Sequence, residues 1–255
     1  MCKYLLMPIF IIVSFIIVSC ATQNTGIILN TENIKTGELN ITYLGTACFL
    51  LQDGSHNILI DPGDFLTNRF PVSLVESIPE LDLILVTHDD FDHCNRLKYL
   101  PDIEYLTIIG TETLKKKRPD YKISTSPVYE NEWVQVLRID IPHTIRTGVD
   151  HTGYIIHFAG NVIYFFGDGI KPKGEIAPYP DIMFVTIGGI EANIPNAIKL
   201  VNEIKPRCVI PMHWELFNRS DKKPKEFKEK LKELFPEIHC IIPPFYKLFT
   251  VPQAL

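Results

Sequence analysis

The 255-residue sequence has no Gly-x-Ser-x-Gly string and no Walker loop. Covalent acyl transfer through a serine and nucleotide hydrolysis of those types therefore lack support. Basic runs are equally scarce. Lys115-Lys116-Lys117-Arg118 stands alone, and the formal net charge is -5, which gives no electrostatic reason to expect a nucleic-acid partner; the short run reads as a solvated helix face. No CxxC pair occurs. Cys48, Cys94, Cys208 and Cys240 each lie beside or within an apolar run and read as small buried thiols. No internal stretch is rich enough in Gly, Ser or Pro to divide residues 38–255, and 46% hydrophobic with 22% charged residues suits one sizeable domain.

The amino terminus is a different kind of sequence. Lys3 gives a positive start, Leu5 to Val18 is almost unbroken apolar, and Ile17-Val18-Ser19-Cys20 follows. The apolar stretch is short for a membrane span, and its boundary ends on cysteine. It resembles a bacterial lipoprotein signal. That resemblance implies removal of residues 1–19, lipidation of Cys20, and an exported protein held on the periplasmic or cell-surface side of a bacterial membrane. An uncleaved anchor helix is the alternative. Residues 20–37 are polar and aperiodic, and read as a tether.

Short apolar runs then recur: Asn40 to Leu44, Cys48 to Leu51, Asn57 to Ile60, Leu81 to Val86, Leu106 to Ile109, Val134 to Ile141, Tyr154 to Phe158, Val162 to Phe166, Ile182 to Ile187, Cys208 to Pro211 and His239 to Ile242. These read as strands. Helical spacing is confined mainly to Val72 to Ser77, Thr111 to Lys117, Ile194 to Ile204 and Lys223 to Phe235. Asp53-Gly54 is a hairpin signal, so the domain opens antiparallel. The expected class is α+β.

The most informative stretch is Thr87-His88-Asp89-Asp90-Phe91-Asp92-His93, directly after the strand Leu81 to Val86. Histidine and carboxylate donors packed this closely can serve two metals if other segments bring further ligands. Three such segments exist. His143 follows the strand Val134 to Ile141, Asp168 follows Val162 to Phe166, and His213 follows Cys208 to Pro211. Strand ends that converge on one rim are where α/β-type sheets gather sites. Asp61-Pro62-Gly63-Asp64, also just past an apolar run, reads as a turn shaping the site floor.

Thr87 to His93, Ile141-Pro142-His143, Phe166-Gly167-Asp168 and Ile210-Pro211-Met212-His213-Trp214 together resemble the metallo-β-lactamase fold superfamily of metal-dependent hydrolases. The opening Tyr43-Leu44-Gly45-Thr46-Ala47, Asp61-Pro62-Gly63, and His213-Trp214 followed by Phe217 are most similar to one branch. It contains L-ascorbate-6-phosphate lactonase and the N-acyl-phosphatidylethanolamine phospholipase D-like phosphodiesterases. The resemblance implies an αββα sandwich of two mixed β-sheets flanked by helices. It also implies one metal on His88, Asp90 and His143, a second on Asp92, His93 and His213, and Asp168 between them. Asp90 departs from the family's usual histidine. A carboxylate is a harder donor, which weakens a preference for zinc and favours manganese or iron.

The expected cofactors are thus two divalent ions, zinc, manganese or iron, which would activate a water against a phosphoester or lactone-like ester of a small-molecule or lipid-derived substrate. Asp92 is expected to ligate and to orient that water. His151 is a candidate proton donor or substrate contact. His157, inside an apolar strand, reads as a core histidine, and Trp214 and Phe217 either wall the pocket or pack beneath it. The alternative function is a degenerate metal-binding member acting as a surface binding protein without turnover. The sequence leaves the oligomeric state open.

Overall fold

The computed structural model describes residues 36–252 apart from Leu66, Asn68, Ile145, Ile170, Pro178 and residues 216–221. The signal segment, Cys20, nearly all of the tether and Phe217 lie outside the described residues. Among the described residues no helix is long and apolar enough to cross a membrane.

The apolar runs become strands because most of their residues are covered on both faces, where β-branched and aromatic side chains pack well on a pleated surface. The first sheet contains β1 (Asn40–Gly45), β2 (Cys48–Gln52), β3 (Asn57–Ile60), β4 (Leu83–Leu85), β5 (Thr107–Ile109) and β6 (Ile123–Ser124). The second contains β7 (Val128–Glu130), β8 (Val134–Asp140), β9 (Thr152–Phe158), β10 (Asn161–Phe165), β11 (Ile182–Thr186), β12 (Cys208–Met212) and β13 (His239–Cys240). The last strand, β14 (Leu248–Thr250), returns to the first sheet beside β1, giving the orders β14-β1-β2-β3-β4-β5-β6 and β13-β12-β11-β10-β9-β8-β7. The Asp53-Gly54 turn, with Gly54 at φ 90°, joins β2 and β3 antiparallel as expected. β3 to β6 then run parallel, as do β10 to β13. Both sheets are therefore mixed, with the same succession of pairings.

Helices α1 (Val72–Val75), α2 (Phe91–Cys94) and α3 (Glu112–Lys117) cover the first sheet, and α4 (Ile194–Ile204) and α5 (Lys222–Leu234) the second. Leu44, Leu50, Leu59, Ile84 and Ile108 pack with Leu74, Cys94 and Leu114 in an outer cluster. Alternate residues of the same strands, Tyr43, Phe49, Ile60 and Leu85 among them, face inward to a core shared with β9 to β12. α4 starts where Asn193 caps the Asn196 amide and ends at Lys205 in the left-handed region, φ 52°. The α+β sandwich expected from the sequence is what the chain forms. β6, β7, β14 and α2 were not anticipated, because two to four residues are too few for a period to register. His157 corrects the expectation of a core histidine: it faces solvent on β9 between the buried Ile156 and Phe158.

The two sheets are tied at the carboxyl ends of β4 and β5. Tyr154 on β9 is buried, and its hydroxyl lies 2.6 Å from the Val86 carbonyl oxygen and 2.9 Å from that of Ile109, at the ends of β4 and β5. Replacing Tyr154 by Phe leaves those buried carbonyls without this donor and is expected to lower the unfolding free energy by about 1–3 kcal/mol in urea titrations. No change would show that the hydroxyl carries none of the junction.

Candidate metal centre

Seven donors come from both sheets. After β4 the chain turns through His88 and Asp90, and the single turn of α2 presents Asp92 and His93. His143 follows β8, Asp168 follows β10 and His213 follows β12. Because β8, β10 and β12 point the same way, their carboxyl ends share one edge.

The donor atoms fall into three overlapping groups, His88 with Asp90 and His143, His88 with His93 and Asp168, and Asp92 with His93 and His213, each with ligand atoms within 4.8 Å of one another. His88 Nε2 and His143 Nε2 lie 3.5 and 3.6 Å from Asp90 Oδ2. His213 Nε2 lies 3.2 Å from both Asp92 Oδ2 and His93 Nε2. Asp168 faces both sides, its Oδ2 3.6 Å from His143 Nε2 and its Oδ1 3.5 Å from His213 Nε2. Donors arranged tetrahedrally on bonds of about 2.1 Å stand roughly 3.4 Å apart. These separations fit. So do the orphaned atoms: His88 Nε2 and Asp168 Oδ1 are buried with no hydrogen-bond partner, which costs free energy unless something else satisfies them.

His88 and His93 are aimed from behind. Asp61 is buried, and its Oδ2 accepts from His93 Nδ1 at 2.8 Å and from the Thr87 hydroxyl at 2.8 Å, while Oδ1 accepts the Thr87 amide at 2.7 Å. Thr87 Oγ1 in turn lies 3.0 Å from His88 Nδ1. Both rings thereby turn Nε2 toward the cluster, the carboxylate and hydroxyl fixing the tautomer. The backbone is held in costly conformations to do this. Asp61 and His213 have φ 44° and 64°, each of order 1–3 kcal/mol for a non-glycine residue. Gly63 is required beside them, since a Cβ there would lie 2.2 Å from the Asp92 carbonyl carbon. The turn expected to shape the floor is thus a carboxylate support, a role that the sequence reading missed. Its signal was a carboxylate at a strand end, of the kind that a ligating histidine needs behind it.

Electrostatics follow from this crowding. Burial alone would push the His93 and His213 pKa down, but Asp168 and the neighbouring carboxylates raise both above the ordinary value. Burial opposes ionisation of Asp92 and Asp168, yet the facing histidines win, holding Asp92 at about 2 and Asp168 well below the carboxylate range. Cys94 stays out of the cluster, its thiol against the Asp90 carbonyl and its pKa pushed up by burial to about 11. Trp214 is buried against Tyr43 and Phe245 and packs beneath the site.

His151 reaches the cluster differently from the other histidines. Its Nδ1–H donates to the Ile141 carbonyl at 2.8 Å, and Nε2 accepts the Asp168 amide at 3.2 Å. Both ring nitrogens are engaged with backbone, which departs from the expected proton donor or substrate contact. The ring instead braces the turn that carries Asp168.

Residues 40–213 match the profile of the family described as the beta-lactamase superfamily domain. The chain belongs to this superfamily. A protein named UPF0173 metal-dependent hydrolase from Thermoplasma acidophilum is 32% identical over 77% of this chain and 90% of its own length. One of the same name from Archaeoglobus fulgidus is 28% identical over 80% and 95%. Among solved structures, a protein from Parabacteroides distasonis superposes with a TM-score of 0.68 at 22% identity, covering 83% of this chain and 96% of that one. It shares the fold.

The bracing by His151 has a pH signature. Burial lowers its pKa from 6.5 to about 3, so below pH 6.5 the unfolded chain takes up a proton that the folded chain refuses, and stability falls with pH. His151→Gln keeps one donor and one acceptor and cannot titrate. The stability of wild type relative to this variant is expected to drop by about 1.4 kcal/mol between pH 7.5 and pH 5.5. A difference that stays constant across that interval in urea titrations would refute a neutral, doubly bonded imidazole.

Proposed function

We propose that the protein is a metal-dependent hydrolase with a dinuclear centre acting on a phosphoester or lactone-like ester. The observation that carries this reading is Asp168, whose two oxygens face His143 on one side and His213 on the other. His88, Asp90 and His143 would hold one divalent ion, Asp92, His93 and His213 the other, with Asp168 between. When bound, such ions polarise a carbonyl or phosphoryl oxygen and acidify water, its pKa falling from about 15.7 to about 7.

The chain's own residues supply the rest. Asp92 turns Oδ2 toward His213 and His93, which leaves its second oxygen to accept a hydrogen bond from the attacking water and orient it. His151 positions Asp168 through the backbone. The match to relatives named metal-dependent hydrolases supports the class, and the lactonase-like opening and closing segments support the ester substrates. We further propose that export and lipidation at Cys20 place this activity at a membrane surface; loss of labelled-lipid incorporation in Cys20→Ala is the expected result, and unchanged incorporation would overturn it.

Purified after growth with manganese, zinc or iron, the protein is expected to carry about two ions per chain and to hydrolyse bis-p-nitrophenyl phosphate or members of a lactone panel. His93→Ala is expected to abolish turnover while the far-ultraviolet circular dichroism is retained. Because His93 and His213 take up protons more readily than free histidine, metal must displace them, and affinity is expected to rise with pH above 6.5. Clearly less than one ion per chain after metal supplementation would sink the proposal, and two ions with no turnover on any substrate would favour a binding protein.

A further inference from the structure

Asp90 stands at the N-cap of α2, yet its side chain makes no capping hydrogen bond. What it meets is Arg146, in the loop between β8 and β9, whose Nη1 lies 2.7 Å from Oδ1 and 2.6 Å from Oδ2. The same Oδ2 is 3.5 and 3.6 Å from the Nε2 atoms of His88 and His143. A carboxylate oxygen has two acceptor directions, so Oδ2 can keep the guanidinium on one and turn the other to the two imidazoles.

We infer that Arg146 is a positioning residue for the centre: it orients the Asp90 carboxylate toward His88 and His143 and offsets its charge. The inference rests on the reading of those three residues as ligands of one ion. The Arg146 side chain is 58% exposed and that of Asp90 21%. An ion pair this open to water contributes little to folding stability, so its value lies in the orientation it imposes. Together the two side chains are neutral, so the centre receives an oxygen donor without gaining a net negative charge. Arg146 would also repel an incoming cation. Its exposure lets water and salt screen that repulsion, whereas the hydrogen bonds act directly on the donor, and loss of such an outer partner typically weakens metal binding 10- to 100-fold.

The test is calorimetric titration of the metal-free protein with manganese, followed on two sites. Arg146→Ala is expected to weaken one of the two binding events by about 10- to 100-fold and leave the other within about threefold. Arg146→Lys should recover part of the loss, since its ammonium restores the charge and can donate from a single nitrogen as Nη1 does, on a more flexible stem. In an Asp90→His background, where no carboxylate needs orienting, Arg146→Ala should change the affinity by less than about threefold. Circular dichroism of each variant checks that it folds. If wild type binds two ions and Arg146→Ala binds both with wild-type affinity, the inference is wrong and the dinuclear reading survives; a raised KM with unchanged metal affinity would likewise overturn it and make Arg146 a substrate contact. Failure of wild type to bind would remove both.

Discussion

A buried carboxylate with three hydrogen bonds holds the centre together. Asp61 is fully covered and accepts from the Thr87 amide, the Thr87 hydroxyl and His93 Nδ1. A buried anion is tolerated only when its acceptor positions are filled, so the constraint works in both directions: the donors must come to Asp61, and in coming they turn His88 and His93 the same way. The amide of Asp61 is itself bonded to the Leu85 carbonyl at 2.9 Å, which fastens this support to the parallel strands β3 and β4. The support therefore has the rigidity of the sheet, although the residues it steers lie in a turn and a single helical turn.

The second sheet is brought to the same place by backbone contact. The Thr152 amide donates to the Thr87 carbonyl at 2.9 Å, joining β9 to the turn before His88. Gly167, at φ 54°, lies against Thr87, where a Cβ would come within 2.7 Å of its hydroxyl. The Thr186 hydroxyl holds the Gly167 carbonyl at 2.7 Å, and His151 holds the Asp168 amide. His213 is fixed through its own amide, bonded at 2.8 Å to the Thr46 carbonyl of the first sheet. Cross-sheet backbone bonds at Thr87 and at His213 thus place the centre on the seam rather than on either half.

Much of this was legible in the sequence. Runs such as Cys48 to Leu51 and Ile182 to Ile187 declare strands because both faces are buried, and Ile194 to Ile204 declares a helix with Asn193 before it. The seven donors were legible because each follows such a run. His157 was misread because the neighbours Ile155, Ile156 and Phe158 are all apolar, so no alternation marked its face. His151 carried no usable signal about its bonding: its partners are a carbonyl and an amide, which every residue has. Arg146 was invisible for a similar reason, since a lone arginine in a loop has no spacing relation to a carboxylate 56 positions away.

The donor set also separates a ligand site from a structural polar network. A network that existed to stabilise the fold would give each buried oxygen a donor, as both oxygens of Asp61 have. Here the inner atoms differ: His88 Nε2 and Asp168 Oδ1 are buried without a hydrogen-bond partner, while histidine nitrogens face one another at 3.2 Å across the centre in His93 and His213. Two neutral imidazoles with both Nε2 atoms unprotonated repel, and two protonated ones repel more strongly. Asp168 and the neighbouring carboxylates raise the pKa of both rings, so the site favours positive charge at its centre. A divalent cation answers the same need with one charge centre that several donors share, which a proton on a single nitrogen cannot do. Strained turns at Asp61 and His213 and unsatisfied atoms between them are conditions that a fold retains where binding repays them.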